Sequence, residues 1–241
     1  MSRALAIPPG APLRVVGDVH GDLRAFRFAA ETDRFVIQLG DLTDYGPESA
    51  GALRLMLRLI EEGRGVFLLG NHDFRLARAL AGRATHLAPE TRATLATLDP
   101  ALAGRALAAI TRAPAWLRIG AAFFVHGGFH DAMLMTPPPA EIPLAGGRVA
   151  GLLARALYGE PTGRTQPDGF PERSLRWVDR IPADLIVYCG HDRRSQDGRP
   201  YTRLAAAGGR AVFLDTGAGK GGHLSWIDLS PAGMELRPAF G

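Results

Sequence analysis

Five short apolar runs in this chain each break into a cluster of glycine with acids, amides or histidines. Leu13-Arg14-Val15-Val16 runs into Gly17-Asp18-Val19-His20-Gly21-Asp22, and Phe35-Val36-Ile37-Gln38-Leu39 into Gly40-Asp41-Leu42-Thr43-Asp44. Residues 65 to 69 lead to Gly70-Asn71-His72-Asp73, residues 122 to 125 to His126-Gly127-Gly128, and residues 184 to 189 to Gly190-His191-Asp192. Between the first three runs the apolar spacing changes from strand-like to helical. Residues 22 to 31 read as a helix that Asp22 caps, and residues 48 to 62 carry Leu53, Met56, Leu57 and Ile60 at helical spacing, with Gly63 as the stop. Phe74 to Leu80 reads as a third helix. This β-α-β-α-β alternation predicts parallel strands, and in open α/β sheets sites form where the carboxyl ends of the strands gather. One region therefore receives Asp18, Asp41, Asp44, Asn71 and four of the seven histidines, His20, His72, His126 and His191.

Further along, residues 89 to 112 read as helical and two short strands fall near 116 to 119 and 122 to 125. Residues 130 to 172, with Pro137-Pro138-Pro139 and several glycines, read as an irregular insert beside the site. A loop of that length in a compact domain is more often functional than idle. Apolar segments at 211 to 214, 223 to 229 and 234 to 236 read as antiparallel strands. No repeat or linker divides the 241 residues. The expectation is one α/β domain over residues 1–241, built from two packed mixed sheets with flanking helices.

The charge balance is 28 basic against 24 acidic residues, and Lys220 is the only lysine. No basic run or aromatic–basic motif accompanies the pI of 9.8, so a nucleic-acid partner is left open rather than indicated. Cys189 stands alone, which excludes an intramolecular disulfide and a cysteine zinc cluster and fits a reducing cytoplasm. No stretch approaches about 18 uninterrupted apolar residues, so no membrane partner is expected.

Carboxylate, imidazole and amide oxygen without sulfur suit manganese, iron or zinc. In Asp18-Val19-His20 the two donors lie two apart, so an irregular turn can aim both at one ion. A bridging carboxylate would hold two ions about 3.5–4 Å apart, as in two-metal hydrolysis. Taken alone, Gly17-Asp18-Val19-His20-Gly21 could be a capped turn, and Gly70-Asn71-His72-Asp73 is ordinary turn chemistry. All five in order, each after a strand, point to a metal site.

These residues resemble the signatures of the calcineurin-like metallophosphoesterases, GDxHG, GDxxDRG, GNH(D/E), HGG and GH. The likeness spans residues 13 to about 229 and is strongest to the phosphoprotein-phosphatase branch. Four stretches are similar to a small bacterial group of symmetrical dinucleoside-tetraphosphatase-type enzymes and polynucleotide-phosphatase modules. They are Ala156-Leu157-Tyr158-Gly159-Glu160-Pro161-Thr162-Gly163, Pro167-Asp168-Gly169-Phe170-Pro171-Glu172-Arg173, Tyr188-Cys189-Gly190-His191, and Leu214-Asp215-Thr216-Gly217. The resemblance implies a four-layer α-β-β-α sandwich and a dinuclear centre of divalent ions, manganese first, with iron or zinc as alternatives. It implies that Asp18, His20 and Asp41 hold one metal, and that Asp41, bridging, with Asn71, His126 and His191 holds the second. A hydroxide between the metals would attack phosphorus. His72 would be the general acid, oriented by Asp44.

Two positions depart from the pattern. Tyr45 stands where the family has the arginine that clamps substrate phosphate, and Asp192 stands where the branch usually has threonine. Tyrosine gives one neutral hydrogen bond where arginine gives a charged fork. Asp192 brings negative charge toward an anionic substrate. Arg173 matches an arginine of the bacterial group, and Arg75, Arg148 and Arg193 are further candidates to contact phosphate. His86, His130 and His223 match no motif. Trp116, Trp177 and Trp226 read as core, Asp73 as a brace of its turn, and Asp215 as structural. The function this predicts is a Ser/Thr-phosphatase-like phosphoesterase acting on a phosphorylated substrate. Phosphoprotein, dinucleoside polyphosphate, nucleotide and nucleic-acid end phosphate are the classes in play. The competing reading is a non-catalytic metal or nucleotide binder, for which Tyr45 is the one argument.

Overall fold

The computed structural model describes residues 7–84, 86–145, 149–166, 169 and 171–231. Arg148, Pro167, Asp168, Phe170 and the segment 234 to 236 lie outside the described residues.

The alternation of the first third is realised. Strands β1 (Leu13–Val16), β2 (Phe35–Gln38) and β3 (Gly65–Phe67) pair in parallel, separated by α1 (Leu23–Ala30) and α2 (Ser49–Glu61). The Asp22 side chain caps α1 by accepting from the Ala25 amide at 3.0 Å. Gly63, at φ +69°, follows the end of α2. β11 (Trp226–Leu229) adds antiparallel to β1, giving a four-stranded sheet in the order β11-β1-β2-β3. The second sheet runs β4-β5-β8-β10-β9. Its members are β4 (Trp116–Ile119), β5 (Ala122–Val125), β8 (Ile186–Cys189), β9 (Tyr201–Leu204) and β10 (Arg210–Phe213). At its centre β5, β8 and β10 are parallel.

Every central strand is buried on both faces, and the side chains divide with period two. Leu13, Val15, Phe35, Ile37 and Val66 meet Ala122, Phe124, Tyr188 and Val212 in the layer between the sheets. The alternate residues, Val16, Val36, Phe67, Phe123, Val125, Val187 and Phe213, turn outward. They join the apolar faces of the helices, including Phe26, Met56, Leu102, Ala106, Ile110, Ala156 and Leu157. The result is the expected four-layer sandwich. Trp116 and Trp177 lie in its core, and Trp226 is half-buried against Phe28.

Four expectations are corrected. The helix expected from Phe74 begins at Asn71, because Asp73 accepts from the Gly70 amide at 3.2 Å and closes the first turn of α3 (Asn71–Leu80). Residues 89 to 112 form two helices, α4 (Pro89–Ala96) and α5 (Pro100–Arg112). Pro100 holds Asp99 extended, and Asp99 caps α5 by accepting from the Leu102 amide at 2.8 Å. The segment 130 to 172 is not simply irregular. It contains α6 (Gly151–Tyr158) and a hairpin of β6 (Pro161–Thr165) with β7 (Pro171–Arg173). Its polar, exposed strands carry no apolar alternation to announce them. Finally, β10 is antiparallel only to β9, which was not foreseen, and is parallel to β8.

Candidate active site

The carboxyl ends of β1, β2, β5 and β8 converge, and the loop after β3 joins them as the start of α3. The backbone there is unusual. The non-glycine residues at positive φ among the described residues are His20 (45°), Asp41 (57°), Asp44 (73°), Tyr45 (63°) and His191 (61°), and all lie in these loops. Such positions cost about 1–3 kcal/mol each and persist only where the surroundings over-determine them. Here the surroundings are other loops of the site. The Asp41 carbonyl accepts from the amides of Val19 at 3.0 Å and His20 at 2.9 Å. Asp73 accepts from the Asp41 amide at 2.7 Å and the Leu42 amide at 3.1 Å, so its expected role as a brace extends across two loops. Both Asp18 oxygens face the His191 amide, at 3.0 and 3.1 Å. A Cβ at Gly190 would collide with the Asp18 carboxylate, which explains the glycine.

The structure brings Asp18, His20, Asp41, Asn71, His126 and His191 together. His20 Nε2 lies 3.7 Å from Asp41 Oδ2 and 3.8 Å from Asp18 Oδ2. His126 Nε2 lies 3.4 Å from Asp41 Oδ2 and 3.0 Å from Asn71 Oδ1. Asp41 is thus the member shared by the two imidazoles, while its Oδ1 accepts from the His72 amide at 2.8 Å. His20 Nδ1–H donates to the Thr43 carbonyl and His126 Nδ1–H to the Leu39 carbonyl, both at 2.9 Å. These bonds occupy Nδ1 of each ring and turn Nε2 toward the acids, the orientation of metal-ligating histidines. His191 Nε2 is buried without any hydrogen-bond partner, and His191 forms a group with Asp41 and His126 whose ligand atoms lie within 4.8 Å of one another. An orphaned buried imidazole nitrogen beside buried carboxylates is a donor set that fits a divalent cation.

The electrostatics agree. Burial, then the neighbouring Asp215, raises Asp18 well above the usual carboxylate range. Burial holds His20 down to about 4. Burial also opposes the charged form of His126, but the Asp41 carboxylate beside it prevails and raises it to about 9. Burial disfavours the charged forms of Asp18 and His20 alike, and a divalent cation at the site would reverse that preference for the carboxylate.

Next to this cluster His72 Nδ1–H donates to Asp44 Oδ2 at 2.7 Å. Asp44 is fully buried, and it also accepts from Thr91 Oγ1 at 3.0 Å and Thr94 Oγ1 at 2.8 Å. Burial opposes its charge, but these bonds and the His72 imidazole hold it below the usual carboxylate value. The two threonines on α4 were not foreseen, and a pair of threonines three apart on a helix carries no signal in sequence.

Tyr45 is half exposed, its ring centroid 5.0 Å from His20 and 5.1 Å from His72. Lys220, given no role from sequence, places Nζ 3.0 Å from His20 Nε2 and 5.1 Å from the centroid of the Tyr45 ring. Its one advance signal was being the sole lysine. Arg173 donates to the carbonyls of Tyr158 and Pro171, each at 3.1 Å. Arg75 pairs with Glu90 at 2.8 Å and approaches His72 Nε2 at 3.3 Å. Asp192 does not confront the site with a bare charge, because Arg194 pairs with it at 2.7 Å. Asp215 is structural as expected and accepts from the Gly217 amide at 2.9 Å. His130 caps the turn after β5 by accepting from the Ala132 amide at 3.1 Å, and His86 and His223 are exposed. Two grooves flank the cluster. One of about 210 Å³ extends from Tyr45 along Pro47, Glu90 and Thr97, and one of about 580 Å³ from Arg173 along Arg164 and Arg176.

Two packed mixed sheets carry buried acids and imidazoles at the carboxyl edge of their parallel strands, a donor set that fits divalent cations. The model of the calcineurin-like phosphoesterases matches residues 11–194, and the chain belongs to that family of phosphoric ester hydrolases. It is 28% identical over 236 residues to the asymmetrical bis(5'-nucleosyl)-tetraphosphatase PrpE of Geobacillus thermodenitrificans, covering 88% of this chain and 87% of that one. It is 28% identical over 234 residues to the symmetrical bis(5'-nucleosyl)-tetraphosphatase of Ralstonia nicotianae, covering 93% and 74%. The fold is shared with a cold-active protein-tyrosine phosphatase of a Shewanella species, at a TM-score of 0.60 and 15% identity, covering 97% of this chain and 83% of that one. Among the described residues no helix is long and apolar enough to cross a membrane.

Proposed function

We propose that the chain, acting as one cytoplasmic domain, hydrolyses the phosphoanhydride of a dinucleoside polyphosphate at a two-metal centre. The observation that carries the hydrolytic reading is the buried, unpartnered Nε2 of His191, in a residue grouped with Asp41 and His126, beside a His72–Asp44 pair. Asp18, His20 and Asp41 would hold one divalent ion, and Asp41, Asn71, His126 and His191 the other, with manganese the first choice. The ions supply positive charge for the phosphoryl oxygens and a water that is nucleophilic near neutral pH. His72 delivers its Nε2 proton to the departing oxygen. Asp44 holds Nδ1, so the ring cannot turn away.

Two observations support the substrate class. The relatives just described are named for dinucleoside tetraphosphates. Grooves flank the centre on the Tyr45 side and the Arg173 side, which suits a substrate extending both ways from the scissile phosphorus. Tyr45 would meet the nucleoside end on one side, and the groove that begins at Arg173 would receive the other.

The test is a matched panel with manganese present: diadenosine tetraphosphate, a phosphopeptide, a nucleotide 2′,3′-cyclic phosphate and an aryl phosphate. The expected result is the highest kcat/KM on diadenosine tetraphosphate. Two ADP, or ATP with AMP, would then report where the chain is cut. A preference for the phosphopeptide would move the substrate to proteins. No turnover of any of the four with any divalent metal would leave a binding protein.

A further inference from the structure

We propose that Lys220 is the cation that binds the phosphoryl oxygens of the substrate, held in place by the ring of Tyr45. The inference rests on the phosphoesterase reading and adds a residue that the sequence pattern does not assign.

A phosphate site needs a charged donor that is not already spent. The cations around the His72 face differ in this respect. Arg75 is paired with Glu90 at 2.8 Å, Arg194 with Asp192 at 2.7 Å, and Arg173 is turned onto two backbone carbonyls. Lys220 is the least tightly paired of these. Its carboxylate partner, Asp215 Oδ2, is 3.8 Å from Nζ, and its closer contact is His20 Nε2 at 3.0 Å. A metal ion on His20 would take the Nε2 lone pair and displace the ammonium from it, leaving three donors free. Still seated on the Tyr45 ring, the displaced ammonium would meet an oxygen of the phosphate that the ion also holds.

The placement is built into the backbone. A Cβ at Gly219 would collide with the His20 carbonyl, so the Gly217-Ala218-Gly219 turn lies directly on the His20 loop and delivers the next residue, Lys220, to the ring. Tyr45, at φ +63°, brings its ring under the ammonium at 5.1 Å. An ammonium over an aromatic face is attracted without losing a hydrogen-bond donor. Tyrosine at this position is therefore a platform for a charge carried by another loop. The ammonium is partly exposed, with 30% of the side chain accessible, which leaves it open to a ligand.

The experiment compares wild type, Lys220→Met, Lys220→Arg and Arg193→Ala in the manganese-loaded full chain. Binding of inorganic phosphate is measured by calorimetry, aryl phosphate kinetics in parallel, and bound manganese by elemental analysis. Lys220→Met should weaken phosphate binding about 10-fold or more and raise KM more than it lowers kcat, with manganese content and Tm kept. Lys220→Arg should recover most of the affinity. Phosphate affinity unchanged in Lys220→Met overturns the proposal, as does a loss that falls on Arg193→Ala instead. Loss of manganese from Lys220→Met overturns it too, by making the lysine part of the metal cradle. Phosphate binding is read without turnover, so an inactive wild type that still binds phosphate through Lys220 would reject the phosphoesterase reading alone.

Discussion

The Asp44 carboxylate, beside the metal donors, accepts from His72, Thr91 and Thr94, while its own amide donates to Ser49 Oγ at 3.0 Å. A carboxylate satisfied on both oxygens cannot rotate, and neither can the imidazole it holds. His72→Asn tests that arrangement. It should keep the metal content and lower kcat about 10²–10⁴-fold on substrates with poor leaving groups, the range for a lost general acid. The loss should be smaller on an activated aryl phosphate, whose leaving oxygen needs no proton. Equal losses on both, measured with matched metal content, would remove His72 from the proton path.

Among the elements, the two loops after β2 and β3 are joined by Asp73. Its two oxygens serve the buried amides of Gly70, Asp41 and Leu42. Asp73→Ala leaves all three without an acceptor, and a buried unsatisfied amide costs about 1–3 kcal/mol. The urea midpoint should fall by an amount equivalent to about 3 kcal/mol or more, and manganese affinity should fall with it, because Asp41 loses its fixed position. An unchanged midpoint would show that the loops hold each other without it. This brace was legible from sequence as a turn residue, but its reach to the next loop was not. The strand ends were legible because the apolar runs and their polar stops are local. The start of α3, the Thr91 and Thr94 contacts and the β6–β7 hairpin were not, since each depends on partners distant in sequence or on exposed residues with no apolar period.

At the scale of the whole molecule, the layer between the sheets is dry and aliphatic or aromatic, while the edge above it gathers buried acids. Bound cations would relieve that edge. Chelation should therefore lower Tm by several degrees, and manganese at about a hundred times its Kd should restore about 2.7 kcal/mol. A Tm indifferent to chelator and to added manganese would contradict metal binding at this edge, whatever the activity. The two-sheet architecture was readable from the order of runs. The parallel pairing of β10 with β8 was not, because an apolar run has the same appearance in either direction.

The pairing of β1 with β11 joins Arg14 to Asp228 through two hydrogen bonds across 214 positions of sequence. That contact is about as non-local as the chain permits, and such contacts form slowly. At translation rates of about 5–20 residues per second, about ten to forty seconds separate the synthesis of the two strands. Through that interval the nascent chain carries Asp18, His20 and Asp41 but lacks first His191 and then Lys220. A ribosome-bound fragment ending before β8 lacks His191 and Lys220, so it should not turn over an aryl phosphate even with manganese present.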